Sequence, residues 1–220
     1  MDSSNLKSAI KSRALKCISL SNGILERGEY YLAGSSIATL CVRDIDIYPV
    51  EGREFTIPAD NRVSETRNAV TIKNDPPLQF CRYKKPSLSA LISSFDFAHI
   101  QAGAHISDGV VLSVEWTESF LFAKATGTSS FTGSEYPLSS AIRLMKYHSR
   151  GEITSRYAMC SMINIIAAVV ARGFDGYEDF KDQLDAVDLG LIPDEVMGIA
   201  ESNLKELFEL LDRKGRKELG

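Results

Sequence analysis

The sequence predicts an α+β protein, in which strands of a mixed sheet come first and a helical bundle follows. Short apolar segments of strand character recur up to residue 125, separated by turns rich in Gly, Pro, Asn and Asp. Residues 126–134, TGTSSFTGS, are rich in Gly, Ser and Thr, and from Pro137 onward apolar residues recur at helical spacing. We therefore predict a core domain over 1–134 and a helical domain over 135–220.

Composition and charge indicate an ordinary globular protein. The chain has 220 residues, of which 44% are hydrophobic and 25% are charged, and its net charge is −4. A general nucleic-acid binder is more often basic, so any such contact is expected from a local patch. Cysteines without CxxC or zinc spacing favour reduced thiols, and no leader or membrane-spanning segment is predicted. We expect a cytoplasmic protein without membrane contact.

Each element is predicted from apolar periodicity and from its boundary residues. Helices are predicted over 5–19, 36–42, 61–68, 86–94, 137–151, 153–172, 174–184 and 193–211. Strands are predicted over 30–33, 44–47, 69–73, 78–83, 95–106, 110–116 and 119–125. We expect the helix over 153–172, which is the most apolar, to form the centre of the helical domain.

The segment Tyr30–Val50 carries the strongest functional signal. Strand alternation places Asp44 and Asp46 on one face, with Ile45 and Ile47 directed into the core. Two neighbouring carboxylates repel each other unless they share a cation, and the preceding Gly34-Ser35 turn suits a phosphate. The pattern therefore indicates a site for a metal-bound nucleoside triphosphate. The alternative is that the two acids form the solvated face of an edge strand.

This arrangement resembles the nucleotidyltransferase superfamily, which includes DNA polymerase beta and the CCA-adding enzymes. The signature of that family is an apolar residue, Gly-Ser, a spacer, and Asp-x-Asp on a strand, followed later by a third carboxylate. The matching residues here are Ala33-Gly34-Ser35 and Asp44-Ile45-Asp46. The spacer of eight residues lies at the short end of the family's range. The resemblance implies a mixed-sheet nucleotidyltransferase-like core.

Asp96 is the predicted third carboxylate. It lies between Phe95 and Phe97, where an ionised carboxylate without a partner would be costly. The family pattern requires this acid on a strand beside the Asp-x-Asp strand. Glu115 and Glu118 are the alternatives for this role, and a structural cap is the alternative role for Asp96.

The resemblance also implies two-metal phosphoryl transfer with Mg²⁺ or Mn²⁺. The implied metal ligands and catalytic residues are Asp44, Asp46 and Asp96. Gly34 and Ser35 would seat the phosphates of the triphosphate. Lys146 and Arg150, which lie four residues apart on one predicted helix, would contact the triphosphate or the acceptor. Alternatively, these two cations suit the dipole at a helix C-terminus.

A second resemblance concerns the segment Arg143–Gly151, RLMKYHSRG. It is similar to a segment of nucleotidyltransferase-like proteins from phages and large DNA viruses. In those proteins, as here, a Gln-bearing strand (Leu78-Gln79-Phe80) and an Asp beside Phe come earlier in the chain. This resemblance implies a phage or viral protein located in the host cytoplasm.

The predicted function is that of a template-independent nucleotidyltransferase. It would move a nucleoside monophosphate from an NTP, such as ATP, to a hydroxyl of RNA, of a protein or of a small molecule. One alternative is a catalytically inactive protein of the same fold that acts in binding or assembly. Another is an unrelated α/β interaction protein in which the Asp-x-Asp pattern has no role.

Overall fold

The computed structural model describes residues 3–39, 42–55, 57, 62–66, 68–185, 205, 206, 208 and 209. The chain divides into two compact units, Met1–Thr132 and Gly133–Gly220. The first unit contains strands and helices, and the described part of the second contains helices. The boundary between the units lies within the Gly/Ser/Thr-rich segment over 126–134.

The first unit is built on one mixed sheet. Its strands are β1 (Glu29–Ala33), β2 (Ile45–Pro49), β3 (Arg62–Glu65), β4 (Ala69–Ile72), β5 (Leu78–Cys81), β6 (Ala102–Ser107) and β7 (Val110–Trp116). Their order is β3-β4-β5-β2-β1-β6-β7, and β2 pairs with β5 in parallel whereas the other pairs are antiparallel. The predicted α+β class with a mixed sheet is confirmed.

Four helices accompany this sheet in the described residues. They are α1 (Ser3–Leu20), α2 (Ser35–Ala38), α3 (Leu88–Ser93) and α4 (Glu118–Thr126), with a 3₁₀ turn over Ala98–Ile100. The apolar side of α1 and the side chains of Ile45 and Ile47 belong to the same buried cluster. Because strand residues alternate between faces, Asp46 and Tyr48 face the other side of the sheet. On that side a second cluster joins Tyr31 and Ala33 to α3.

Two element predictions are wrong. The helix predicted over 61–68 is replaced by strand β3 over Arg62–Glu65, whose four side chains are all exposed. Backbone pairing with β4 fixes its conformation, so no side-chain periodicity could reveal it. The strand predicted over 119–125 is helix α4. Its cap residues are Thr117, whose side chain accepts a hydrogen bond from Phe120 N, and Gly127 in the left-handed conformation.

The strand predicted over 95–106 is only partly correct. Strand β6 begins at Ala102, and the 3₁₀ turn over Ala98–Ile100 precedes it. The side chain of Gln101 donates to the carbonyl oxygen of Phe95 at 2.7 Å and to Thr132 Oγ1 at 2.9 Å. These bonds tie the turn to the loop before it, so the chain does not run straight from Phe95 into the sheet.

The second unit contains α5 (Pro137–Ser149), α6 (Ser155–Arg172) and α7 (Gly176–Asp185). Within α6 only Ser161 and Ile165 are buried. The prediction that this helix forms the centre of the helical domain stays a prediction, since most of residues 186–220 lie outside the described residues. Most of the helix predicted over 193–211 lies outside the described residues. No described helix in either unit is both long and apolar enough to cross a membrane.

Replacement of Asp179 by Asn is expected to make the second unit less sensitive to acid. Arg172 donates two hydrogen bonds to Asp179, at 2.7 and 2.8 Å, and these lower the pKa of that carboxyl from 3.8 to about 2. A lowered folded-state pKa stabilises the protein above pH 3.8 and loses that effect as the pH falls toward about 2. The partly exposed pair should contribute about 1 kcal/mol at neutral pH.

Urea unfolding of Asp179→Asn and of the wild type at neutral pH and near pH 2 measures this difference. The difference should be much smaller at the lower pH, because about half of the wild-type carboxyl is then protonated. Asp175→Asn changes an exposed acid nearby and serves as the control. An unchanged difference between wild type and Asp179→Asn across this pH range would contradict the assignment.

Candidate functional site

The turn between β1 and α2 brings the backbone of Gly34 next to the carboxylate of Asp46. Gly34 has φ +83° and ψ −148°, a conformation that side-chain-bearing residues rarely adopt. A Cβ placed on Gly34 would lie 3.5 Å from Asp46 Oδ2 and 3.9 Å from Phe95 Cε2. The amide of Gly34 donates to the carbonyl oxygen of Ala102 at 3.1 Å. The backbone of Gly34 thus lies beside this carboxylate with no side chain between them.

Helix α2 is shorter than predicted and is held in place at its C-terminal end. It spans Ser35–Ala38, whereas the predicted helix covered 36–42. Arg13 Nη1 of α1 donates to the carbonyl oxygens of Ile37 and Ala38 at 3.1 and 3.0 Å. Lys124 Nζ of α4 also donates to Ala38 O, at 2.6 Å. Two cationic side chains therefore satisfy the last carbonyls of α2 and fix the half-exposed Ser35 at the turn.

Asp46 lies on an interior strand of the sheet. Strand β2 has β1 on one side and β5 on the other. The interpretation of Asp44 and Asp46 as the solvated face of an edge strand is therefore wrong. Both carboxylates are half-buried. Asp46 is the second residue of β2, whereas Asp44 immediately precedes the strand and does not belong to it as predicted.

The cysteine at the end of β5 lies within the electrostatic reach of both acids. Burial raises the pKa of the Cys81 thiol well above its usual value, and the charge of Asp46 and, more weakly, that of Asp44 add to the rise. A hydrogen bond with Tyr48 partly opposes this rise. Cys81 and the two carboxylates therefore belong to one electrostatic environment.

Asp96 lies in the loop between α3 and the 3₁₀ turn, on neither of the strands that flank β2. Its exposed fraction is 4%, and its carbonyl oxygen accepts a hydrogen bond from Thr132 N at 2.9 Å. The ring of the preceding Phe95 lies 5.8 Å from the ring of Tyr48, on the Asp46 side of the sheet. The expectation of a strand position for this acid is wrong, and its role as the third carboxylate stays a prediction.

The two alternative acids lie elsewhere in the first unit. Glu115 is on β7, three strands away from β2, and strands are spaced by about 4.8 Å, which separates their backbones by about 14 Å. Glu118 is exposed in the first turn of α4. Neither residue is on a strand that neighbours β2.

Gln79 occupies the position that a third carboxylate on a neighbouring strand would take. In the parallel pairing of β2 with β5, Gln79 is the register partner of Asp46. Register partners direct their side chains to the same face of a sheet, so an amide group stands beside the Asp46 carboxylate. In the sequence, this position was indicated only by the polar residue between Leu78 and Phe80. The register that pairs Gln79 with Asp46 cannot be predicted from the sequence.

The acidic residues suit one shared cation better than a complete protein cage. Among the described residues, no group of three or more His, Cys, Asp or Glu side chains is arranged to hold a metal ion. Mg²⁺ is commonly bound through one or two carboxylates, with water and phosphate oxygens completing its octahedron. Asp44 and Asp46, next to the Gly34 turn, are the two carboxylates that could hold one such ion.

Lys146 and Arg150 belong to the second unit. Lys146 lies in the last turn of α5, and Arg150 is the residue that follows the helix. The carbonyl oxygen of Lys146 accepts hydrogen bonds from Ser149 Oγ and from Arg150 N, at 2.9 and 3.3 Å. Both cations therefore lie where the negative end of the helix dipole favours them. Their predicted role with the triphosphate or the acceptor stays a prediction.

No protein-family model matches the chain, and no curated protein is significantly similar to it. The geometry of the Gly34 turn and of strand β2 is thus the basis for a functional interpretation.

Proposed function

We propose that the chain is a nucleotidyltransferase-like protein that binds a magnesium-bound nucleoside triphosphate at Gly34, Ser35, Asp44 and Asp46. It transfers the nucleoside monophosphate to a hydroxyl acceptor without a template. The observation that carries the proposal is the 3.5 Å between Asp46 Oδ2 and the position that a Cβ on Gly34 would occupy. At this distance a backbone turn that suits phosphate lies next to a carboxylate that suits Mg²⁺.

Each residue has a defined task in this proposal. Asp44 and Asp46 hold Mg²⁺, which neutralises charge on the triphosphate as pyrophosphate leaves. The lack of a side chain at Gly34 lets the β- and γ-phosphates approach, and the hydroxyl of Ser35 donates a hydrogen bond to them. Asp96 accepts the proton of the attacking hydroxyl. The acceptor can be RNA, a protein or a small molecule, and no sequence motif selects among them.

A second candidate function is binding without turnover. The amide of Gln79 beside Asp46, where two-metal chemistry uses a carboxylate, favours this alternative. In that case the protein would bind the metal and the nucleotide and would act as a binding or assembly component.

Incubation of the full chain with labelled NTPs and Mg²⁺ or Mn²⁺, with RNA, protein and small-molecule acceptors, separates the two functions. Transfer of label supports nucleotidyl transfer. Nucleotide binding that depends on the divalent ion but proceeds without transfer favours the second candidate. Failure to bind any NTP in the presence of either ion would contradict both.

Replacement of Gln79 by Glu should strengthen binding of divalent cations. The substitution adds a carboxylate on the strand next to Asp46 and on the same face of the sheet. We expect Mn²⁺ affinity to rise by about tenfold, since the hydrogen-bonding and charge of groups next to a metal site change its affinity by 10–100-fold. Electron paramagnetic resonance titration of free Mn²⁺ measures the change without reference to activity.

Thr71→Glu is the matched control for this prediction. Thr71 is the register partner of Gln79 on β4, so it lies one strand farther from Asp46. We expect its effect on Mn²⁺ affinity to be clearly smaller. Equal effects of the two substitutions would show a general influence of charge rather than a site beside Asp46.

A further inference from the structure

Helix α6 presents an apolar stripe to solvent. The stripe consists of four large residues at intervals of four, three and four along the helix, which places them on one side. Their exposed fractions are high: Met159 66%, Ile163 62%, Ile166 56% and Val170 73%. We call these four residues the α6 stripe.

The side of α6 opposite the stripe is buried, which shows that the stripe is separate from the core of the second unit. Ile165 and Ser161 are buried, with exposed fractions of 1% each. The helix therefore already has a packed side, and the stripe lies outside it. A continuous exposed apolar surface of this kind typically marks an interaction site, because leaving it in water forfeits the hydrophobic free energy of four large side chains.

The absence of charged side chains around the stripe favours an uncharged helical partner. Residues 157–171, YAMCSMINIIAAVVA, contain no charged side chain. At the end of the helix, the charge of Arg172 is compensated by Asp179 through two hydrogen bonds. A surface without charge offers no attraction to a basic or acidic partner, whereas a copy of itself meets it without repulsion.

The spacing and the extent of the stripe also fit a second copy of this chain. Alternating intervals of four and three are the repeat with which two helices pack side by side, and a symmetric pair presents the same repeat on both. A specific interface buries on the order of 1,000 Å² or more in total, which is about 500 Å² from each copy. Four large side chains that are 56–73% exposed, with the exposed Ala167 beside them, present an area of that order.

We propose that the chain forms a homodimer in which the α6 stripes of two copies pack against each other. Ile163 and Ile166 lie at the middle of the stripe and are therefore at the centre of the interface. The exposed Ala167 at its flank leaves room for the two helices to approach closely. The proposal concerns the second unit alone and does not depend on the nucleotide site.

Sedimentation equilibrium of the full chain over a range of micromolar concentrations tests the proposal. We expect a concentration-dependent dimer for the wild type and a monomer for the double variant Ile163→Glu/Ile166→Glu. Since both side chains are exposed in the single chain, the variant should keep the far-ultraviolet circular dichroism of the wild type. Asn164→Glu is the matched control, because it adds a charge to the same helix at an exposed position away from the stripe.

The result is decisive in either direction. Dimerisation of the wild type and of Asn164→Glu, together with its loss in the double variant, supports the proposal. A wild type that stays monomeric throughout the range overturns it, whether or not the variants fold, and indicates that the stripe is covered within one chain or by another protein. A dimer that persists in the folded double variant also overturns it.

Discussion

Asp46→Asn is expected to reduce magnesium-dependent binding and transfer of NTP by at least about 100-fold, the usual loss when one charge-stabilising group is removed. The substitution keeps the shape of the side chain but removes its charge. Asp46 is the carboxylate that approaches the backbone of Gly34, 3.5 Å from the position of a Cβ there. Its loss therefore removes the main anionic ligand beside the proposed phosphate position. Isothermal titration with Mg²⁺ and a non-hydrolysable NTP measures the binding, and label transfer measures the reaction.

Glu118→Gln is the matched control for Asp46→Asn. It also converts an acid to its amide, but Glu118 is exposed at the start of α4. Binding in this variant should equal that of the wild type. Wild-type binding in Asp46→Asn, or an equal loss in both variants, would exclude the proposed site.

Phe97→Ala is expected to lower the free energy of unfolding by about 3–5 kcal/mol, as is typical when a buried Phe is truncated. The side chain of Phe97 is fully buried, and its ring lies 6.0 Å from the ring of Phe131 in an edge-to-face arrangement. The two residues also form an isolated backbone bridge. The substitution leaves a cavity beside Asp96, so it should loosen the loop that carries this acid. Urea denaturation followed by circular dichroism measures the loss.

Phe122→Ala makes the same chemical change at a residue of α4 that is 66% exposed. Its unfolding free energy should stay within about 0.5 kcal/mol of the wild type, the usual range for surface substitutions. Similar losses for the two variants would show that the Phe97 loop is not packed as described. Because a domain is stable by only about 5–15 kcal/mol, the effect at Phe97 should be easy to resolve.

The elements that the sequence predicted well are those in which side-chain periodicity and burial agree. The predicted helical periodicity of α1 is matched by its buried residues, Leu6, Ile10, Ala14, Cys17 and Ile18. The alternation in β2 separates Ile45 and Ile47 from Asp46 as predicted. The predictions failed where tertiary pairing determines the backbone. Strand β3 has no buried side chain, so only its pairing with β4 explains it.

The site was predictable in part, for a physical reason. Gly34 and Asp46 follow from local patterns, a turn after a strand and the alternation within the next strand. The neighbour of Asp46 on β5 depends on strand order and register, which local patterns do not contain. For that reason the position of Gln79 beside Asp46 was not predicted, and Asp96 was expected on a strand although it lies in a loop. The wrong prediction of a strand over 119–125 had a different cause. The capping residues of α4, Thr117 and Gly127, are recognisable in the sequence but were not used.

The most direct test of the proposed nucleotide site is a crystal structure of the full chain with Mn²⁺ and a non-hydrolysable NTP. Anomalous scattering identifies the metal without reliance on activity. We predict Mn²⁺ bound to the carboxylates of Asp44 and Asp46, with the triphosphate against the backbone of Gly34. A nucleotide bound elsewhere on the protein, with no metal at these two acids, would contradict the account.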